Sequence, residues 1–358
     1  MQYITSPDLE ESLAEDTRPK RRDASIDILR FIGISLIILA HVEPETHIFH
    51  LRSFDVPMML FISGLTLSSR KPDFSPRYFA HRFTRLLLPV YVFLTAYFML
   101  TSCLQGIGID FGIQQRHIIG SYMLNEGIGY VWIIRVFLLV SLITPFIILA
   151  TQKLSKSLIF LFISVMLVVI DVLISYGIGM QNVFVRDYVY YTLGYCIPFT
   201  CGLILPKLSL RKQLMFISIA LTLLIIDWIS GNSFAHLFDG LFGNQFMDFI
   251  SFNNHKYPPQ SYFILYGLLM SAICYVIIVK LKVYRFLTVF EFIGCNTIWI
   301  YLYHIPLIQI TGKMDLHWGF RWLIVYALAT LITYTQVKLV NRITSNYSWG
   351  KKFQFLKG

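Results

Sequence analysis

An arginine and a histidine share one apolar run near the start of the chain, Asp27-Ile-Leu-Arg30-Phe-Ile-Gly-Ile-Ser-Leu-Ile-Ile-Leu-Ala-His41. As a helix, this run sets Arg30 and His41 about 16 Å apart at ~1.5 Å per residue. Ionisable groups inside a bilayer are costly and are functional candidates by default. A guanidinium suits phosphate, because its planar fork matches two oxygens at once. A histidine titrating near neutrality suits proton transfer. Together the two point to chemistry that needs a cation at one end of a helix and a proton acceptor at the other. Taken singly, each has a plainer reading: Arg30 snorkelling to an interface, and His41 as a hydrogen-bonded packing residue.

A second basic group lies in Arg77-Tyr-Phe-Ala-His81-Arg82-Phe-Thr-Arg85-Leu-Leu-Leu-Pro89. Arg82 and Arg85 are one helical turn apart, so both can face one ligand. Lipid headgroup contact is the competing reading, and for Arg77 the better one. The opposite side carries His41 and Glu43, then Arg52 and Asp55, which are spaced to pair on one helix. Tyr130, Trp132 and Arg135 open a later apolar run, with Asp171, Arg186, Asp187 and Asp227 further on. Arg135 lies deep enough in its run that it should face the protein interior. Residues 231–259 form the longest connection, with Asn232, Asp239, Asp248, Asn253, Asn254, His255 and Lys256 interleaved with aromatics. That composition suits sugar binding and an interfacial aromatic belt equally.

The elements that must position these residues are membrane helices. The chain is 56% hydrophobic and 14% charged, unlike an ordinary soluble domain. Ten apolar runs are long enough to be read as spans of a ~30 Å hydrocarbon layer: 28–42, 51–69, 85–104, 130–150, 157–175, 188–205, 212–230, 260–280, 288–310 and 321–340. Pro198 and Gly294 interrupt the sixth and ninth. The expected fold is an all-α polytopic membrane bundle of about ten transmembrane helices. With the N-terminus placed in the cytoplasm, 23 of the 30 lysines and arginines fall on the inner side, which fixes the expected orientation with both termini cytoplasmic. The net charge of +10 is thereby a matter of topology, attractive to anionic membrane lipid and no sign of nucleic acid.

Residues 1–24 read as a disordered cytoplasmic tail, 25–342 as the transmembrane domain and 343–358 as a second short cytoplasmic tail. The first apolar run is read as an anchor, with no signal peptide expected. Cys103, Cys196, Cys201, Cys274 and Cys295 read as packing residues, with no metal or redox pair expected. Ten spans with internal charges also fit a transporter or flippase of a charged solute, although no matched, Gly/Pro-broken halves are visible.

The motifs, in order, resemble those of acyltransferase family 3. Arg30 and His41 match the family's arginine-to-histidine pair on the first helix. Phe54-Asp-Val-Pro-Met-Met-Leu-Phe-Ile-Ser63-Gly64 looks like its Ser-Gly motif, and Arg82-Phe-Thr-Arg85-Leu-Leu-Leu-Pro89 its basic motif. Trp132-Ile-Ile-Arg135, Lys256-Tyr-Pro-Pro-Gln and Ile298-Trp-Ile-Tyr-Leu-Tyr-His304-Ile-Pro306 continue the match. The forms are most similar to the branch that O-acetylates capsule and exopolysaccharide in the bacterial cytoplasmic membrane. A branch with an attached hydrolase-like domain is not expected, since 18 residues follow the last expected span. The resemblance implies acetyl-coenzyme A as a co-substrate, no permanently bound cofactor, and an acceptor in a surface polysaccharide or lipid-linked oligosaccharide. It implies His41 as the catalytic group. Arg30, Arg82 and Arg85, with Asp27, would serve the donor phosphates; Glu43, Asp55, Arg135 and Ser63 would bind or support the acceptor. Glu43 or Asp27 is expected to orient its partner, and His304 reads as a core histidine ahead of a site residue.

Overall fold

Hydropathy along the chain translates into helices with little left over. The computed structural model describes residues 23–108, 112–125, 127–230, 255–287, 290–346 and 355–356. Residues 1–22 of the expected N-terminal tail, Asn232, Asp239, Asp248, Asn253, Asn254 and most of the expected C-terminal tail therefore lie outside the described residues. The first helix, α1 (Ala24–His41), starts where the Asp23 carboxylate accepts the Ser25 amide and hydroxyl, at 3.0 and 2.6 Å. Such a side-chain cap satisfies donors that the first turn leaves open. Then follow the short α2 (Thr46–Leu51), which lies ahead of the second expected span but for Leu51, and α3 (Asp55–Leu67), which falls within it. The long α4 (Pro76–Gly106) is started by Ser75, whose hydroxyl accepts from the Tyr78 amide at 3.2 Å, with proline at the first helical position.

Next come α5 (Gln115–Tyr122), α6 (Trp132–Lys153), α7 (Lys156–Ser175) and α8 (Tyr191–Ile204). A π-helical turn over Val185–Tyr190 leads into α8. The chain continues with α9 (Leu210–Ile229), α10 (Ser261–Tyr275), α11 (Glu291–Cys295), α12 (Thr297–Thr311) and α13 (Trp318–Asn346).

Among the described residues, nine helical stretches are long and apolar enough to cross a membrane. The ninth expected span, 288–310, is divided at Asn296 into α11 and the 15-residue α12. The Asn296 side chain donates back to the Phe292 carbonyl at 2.7 Å, a local bond that competes with helix continuation. Pro198, by contrast, is accommodated inside α8 without ending it.

The bundle has a buried centre and a lipid-facing rim. α1, α3, α8 and α10 hold most of the fully buried side chains, including Ile28, Phe61, Phe199 and Tyr262. α7, α9 and α13 expose Phe162, Met215 and Leu323 among many apolar groups, which a bilayer would cover. α3 and α8 cross with backbones touching. A methyl group on Gly64 would collide with the Phe199 carbonyl, and one on Gly202 with the Phe61 carbonyl. Small residues at such a crossing allow the close packing typical of membrane helices. These many apolar helices make a multi-pass membrane protein.

Candidate active site

Two clusters form, one at each end of α1. The first surrounds Arg30. A cavity of about 580 Å³ is lined there by Arg30 of α1 and by His81, Arg82 and Arg85 of α4. Arg82 and Arg85 thus do face one space, as their one-turn spacing predicts. Ser63 of α3 lines the same cavity, its hydroxyl donating to the Met59 carbonyl at 2.9 Å. Arg30 is held by Asp27 at 2.6 Å; the aspartate side chain is buried while 27% of the arginine side chain remains exposed. Asp27 also accepts from the Cys295 thiol at 3.3 Å. Asp27 is absent from the cavity wall, so its contact is with the arginine that does line it.

From this basic end the cavity follows the helices inward. Ile34 and Ile37 of α1, Met59 and Leu60 of α3, Ile133 and Phe137 of α6 and Tyr301 of α12 form its apolar walls. Ile37 lies one turn before His41 on the same face of α1. The cavity therefore joins a phosphate-compatible mouth to the turn below His41.

At that second end His41 meets His304. The His41 Nδ1 and His304 Nε2 atoms are 2.9 Å apart, and the rings stack with centroids 5.0 Å apart. His304 is fully buried, and its Nδ1 lies against the Tyr301 carbonyl. A carbonyl can only accept, so His304 Nδ1 carries the proton there. In neutral imidazoles that makes His304 Nε2 the acceptor and His41 Nδ1 the donor. His41 Nε2 is then left with its lone pair, the form needed by a base or a nucleophile. Tyr130 stands edge-on to His41 at 4.7 Å, and its carbonyl accepts from the Tyr301 hydroxyl.

The relay runs through His304, not through either carboxylate expected to orient the site. Glu43 is exposed and has no hydrogen bond or ion pair among the described residues, while Asp27 lies at the other end of α1. Sequence reading ranked His304 as packing. The signal that could have raised it was its position at the centre of an aromatic motif with a polar ring in an apolar helix.

A buried ionic group lies beside the two histidines. Arg52 at the end of α2 donates to Asp55 at the start of α3 at 2.8 Å, so the expected pair forms, but across a turn between two helices and not on one. The Lys256 ammonium reaches the other Asp55 oxygen at 3.3 Å. All three are at most 4% exposed. The Trp132, Tyr257 and Phe263 rings surround Lys256 at 5.5–6.0 Å, a cation–π setting. Burial lowers the lysine's pKa from its ordinary value, opposed by the Asp55 carboxylate. Arg135 faces the interior as expected. It is 6% exposed, donates to Asn125 and lies over the Tyr188 ring at 4.7 Å.

A family model described as "Acyltransferase domain", that of acyltransferase family 3, matches residues 23–335. No curated protein sequence and no solved structure matches the chain.

Proposed function

The chain belongs to acyltransferase family 3 and is a membrane-embedded acyltransferase; from that premise we propose that it moves an acetyl group from acetyl-coenzyme A to a sugar hydroxyl. Membership decides between the enzyme and transporter readings that the sequence left open. The donor enters at the Arg30 end, from the cytoplasm of a bacterium. The acceptor, in a surface polysaccharide or lipid-linked oligosaccharide, meets His41 from the opposite side of the cytoplasmic membrane. The observation that carries this reading is the cavity lined by Arg30, Arg82 and Arg85 and, through apolar walls, by Ile37, one turn before His41.

Each part of the donor has a counterpart. The guanidinium groups suit the phosphates. The apolar passage suits the extended pantetheine arm, which must cover the ~16 Å between Arg30 and His41. At the far end, His41 Nε2 takes the proton of the acceptor hydroxyl as its oxygen attacks the thioester carbonyl. The tetrahedral intermediate collapses by breaking the carbon–sulfur bond. The proton on His41 then goes to the departing thiolate, which leaves as the free thiol of coenzyme A. His304 holds His41 in the required tautomer throughout. Lys256 and Arg52, both buried nearby, place positive charge where negative charge develops.

The test is transfer of radiolabelled acetyl into polysaccharide by membranes bearing the protein. Acetyl-coenzyme A should serve as donor and acetyl phosphate, which lacks the arm, should fail. Equal use of both would overturn the threaded-donor reading. NMR of surface polysaccharide with and without the gene should show O-acetyl signals only in its presence.

A further inference from the structure

We propose that Phe355 forms an aromatic platform for the adenine ring of the donor at the basic mouth of the cavity. The inference rests on the coenzyme A reading of that cavity. A coenzyme A thioester offers two handles beyond its arm: charged phosphates and a flat purine. α1 and α4 supply cations for the first, in Arg30, His81, Arg82 and Arg85. A purine needs a flat apolar face as well. Phe137, Phe199 and Tyr301 also line the cavity, but Phe199 and Tyr301 are buried in α8 and α12, and Phe137 lies near the start of α6, the end next to Tyr130 and His41. Phe355 comes from a separate C-terminal segment, lines the same cavity and is half-buried, so one face is available.

Its position is fixed from both sides. The Leu356 carbonyl accepts from Gln336 Nε2 of α13 at 2.7 Å, and the Leu356 side chain packs on the hydrophobic core. The Gln336 side-chain oxygen in turn accepts from the Tyr303 hydroxyl of α12. Two residues before Gln336, Tyr334 meets Phe292 of α11 edge-on at 5.6 Å. α11 also carries Gly294 and Cys295, which line the cavity beside Arg30. The ring therefore lines the cavity that Arg30, Arg82 and Arg85 also line, on a segment tied to α12 and α13. Stacking of a base on an aromatic ring is tolerant of base identity and is lost on truncation to alanine.

The experiment compares two donors, acetyl-coenzyme A and S-acetyl-4′-phosphopantetheine, which has the arm but no adenosine. Phe355→Ala should raise the apparent KM for acetyl-coenzyme A roughly 5- to 100-fold and leave that for the shorter donor unchanged. Phe355→Trp should keep the wild-type preference for the full coenzyme. The unchanged use of the shorter donor is also the check that the alanine variant folds. An equal rise for both donors would overturn the proposal, because the ring would then only pack. A fall in KM for acetyl-coenzyme A would overturn it in the other direction, making Phe355 an obstruction. Wild-type protein that transfers from neither donor would refute the donor reading itself and this inference with it.

Discussion

The two ends of α1 handle charge in opposite ways. At the Arg30 end, cations line an open cavity, and Arg30 keeps 27% of its side chain exposed. At the His41 end, Arg52, Asp55 and Lys256 are buried and paired, and His41 is bonded to a buried second histidine. The proposed function accounts for the contrast by giving each end a different task. A mouth that admits and releases a highly charged molecule has to leave its cations hydrated between visits. A centre that moves a proton gains from groups already fixed, because nothing need reorganise as charge develops.

The sharpest way to break the comparison is His41→Ala. With insertion and expression intact, transfer should fall ~100- to 10,000-fold, the usual contribution of general acid–base catalysis. Retention of a tenth of wild-type activity would reduce His41 to packing. Asp55→Ala comes next and acts on stability. It strips the shared counter-ion from two buried cations, and breaking a buried pair costs about 3–5 kcal/mol. Thermal melting in detergent should show a large loss, well beyond that of Arg82→Ala. Similar melting of the two variants would mean that the ends do not differ as described.

At the open end, Arg82→Ala and Arg85→Ala should each raise the apparent KM for acetyl-coenzyme A by roughly 10- to 150-fold, with kcat less affected. Unchanged KM combined with failed insertion would assign these arginines to topology. The smallest catalytic effect is expected for His304→Ala, a loss on the order of 10- to 100-fold, by analogy with partners that orient other functional histidines. His304→Gln should restore part of it, since its side-chain oxygen can accept from His41 Nδ1. Identical losses in the two variants would argue that His304 fills space only.

What could be read in the sequence was whatever depends on neighbours along a helix. Arg30 and His41 on one helix, the shared orientation of Arg82 and Arg85 and the inward-facing Arg135 follow from periodicity or depth, and the Arg52–Asp55 pair from closeness in sequence, although a turn separates the two. What could not be read depends on chain segments far apart. His304 lies 263 residues from His41, and nothing local distinguishes it from a packing histidine. The Lys256–Asp55 bond spans 201 residues. Ser63, which the resemblance groups with the acceptor, lines the same cavity as Arg30, because which face of α3 meets α1 is set by tertiary packing. Interruptions were misjudged for a related reason. Pro198 signals a break that surrounding helices absorb, whereas Asn296 makes one through a single side-chain bond.

The α3–α8 crossing carries a consequence for how this sequence can drift. Gly64 is blocked by a carbonyl of α8, and Gly202 by a carbonyl of α3. The obstructing atoms are backbone, present whatever side chains surround them. No second substitution elsewhere can therefore make room for a methyl group at either position without moving the helices apart. Deep mutational scanning should find both glycines intolerant even of alanine, with no suppressor at Phe61 or Phe199. The pair would thus be a fixed point around which other positions vary, independent of which acceptor the enzyme serves.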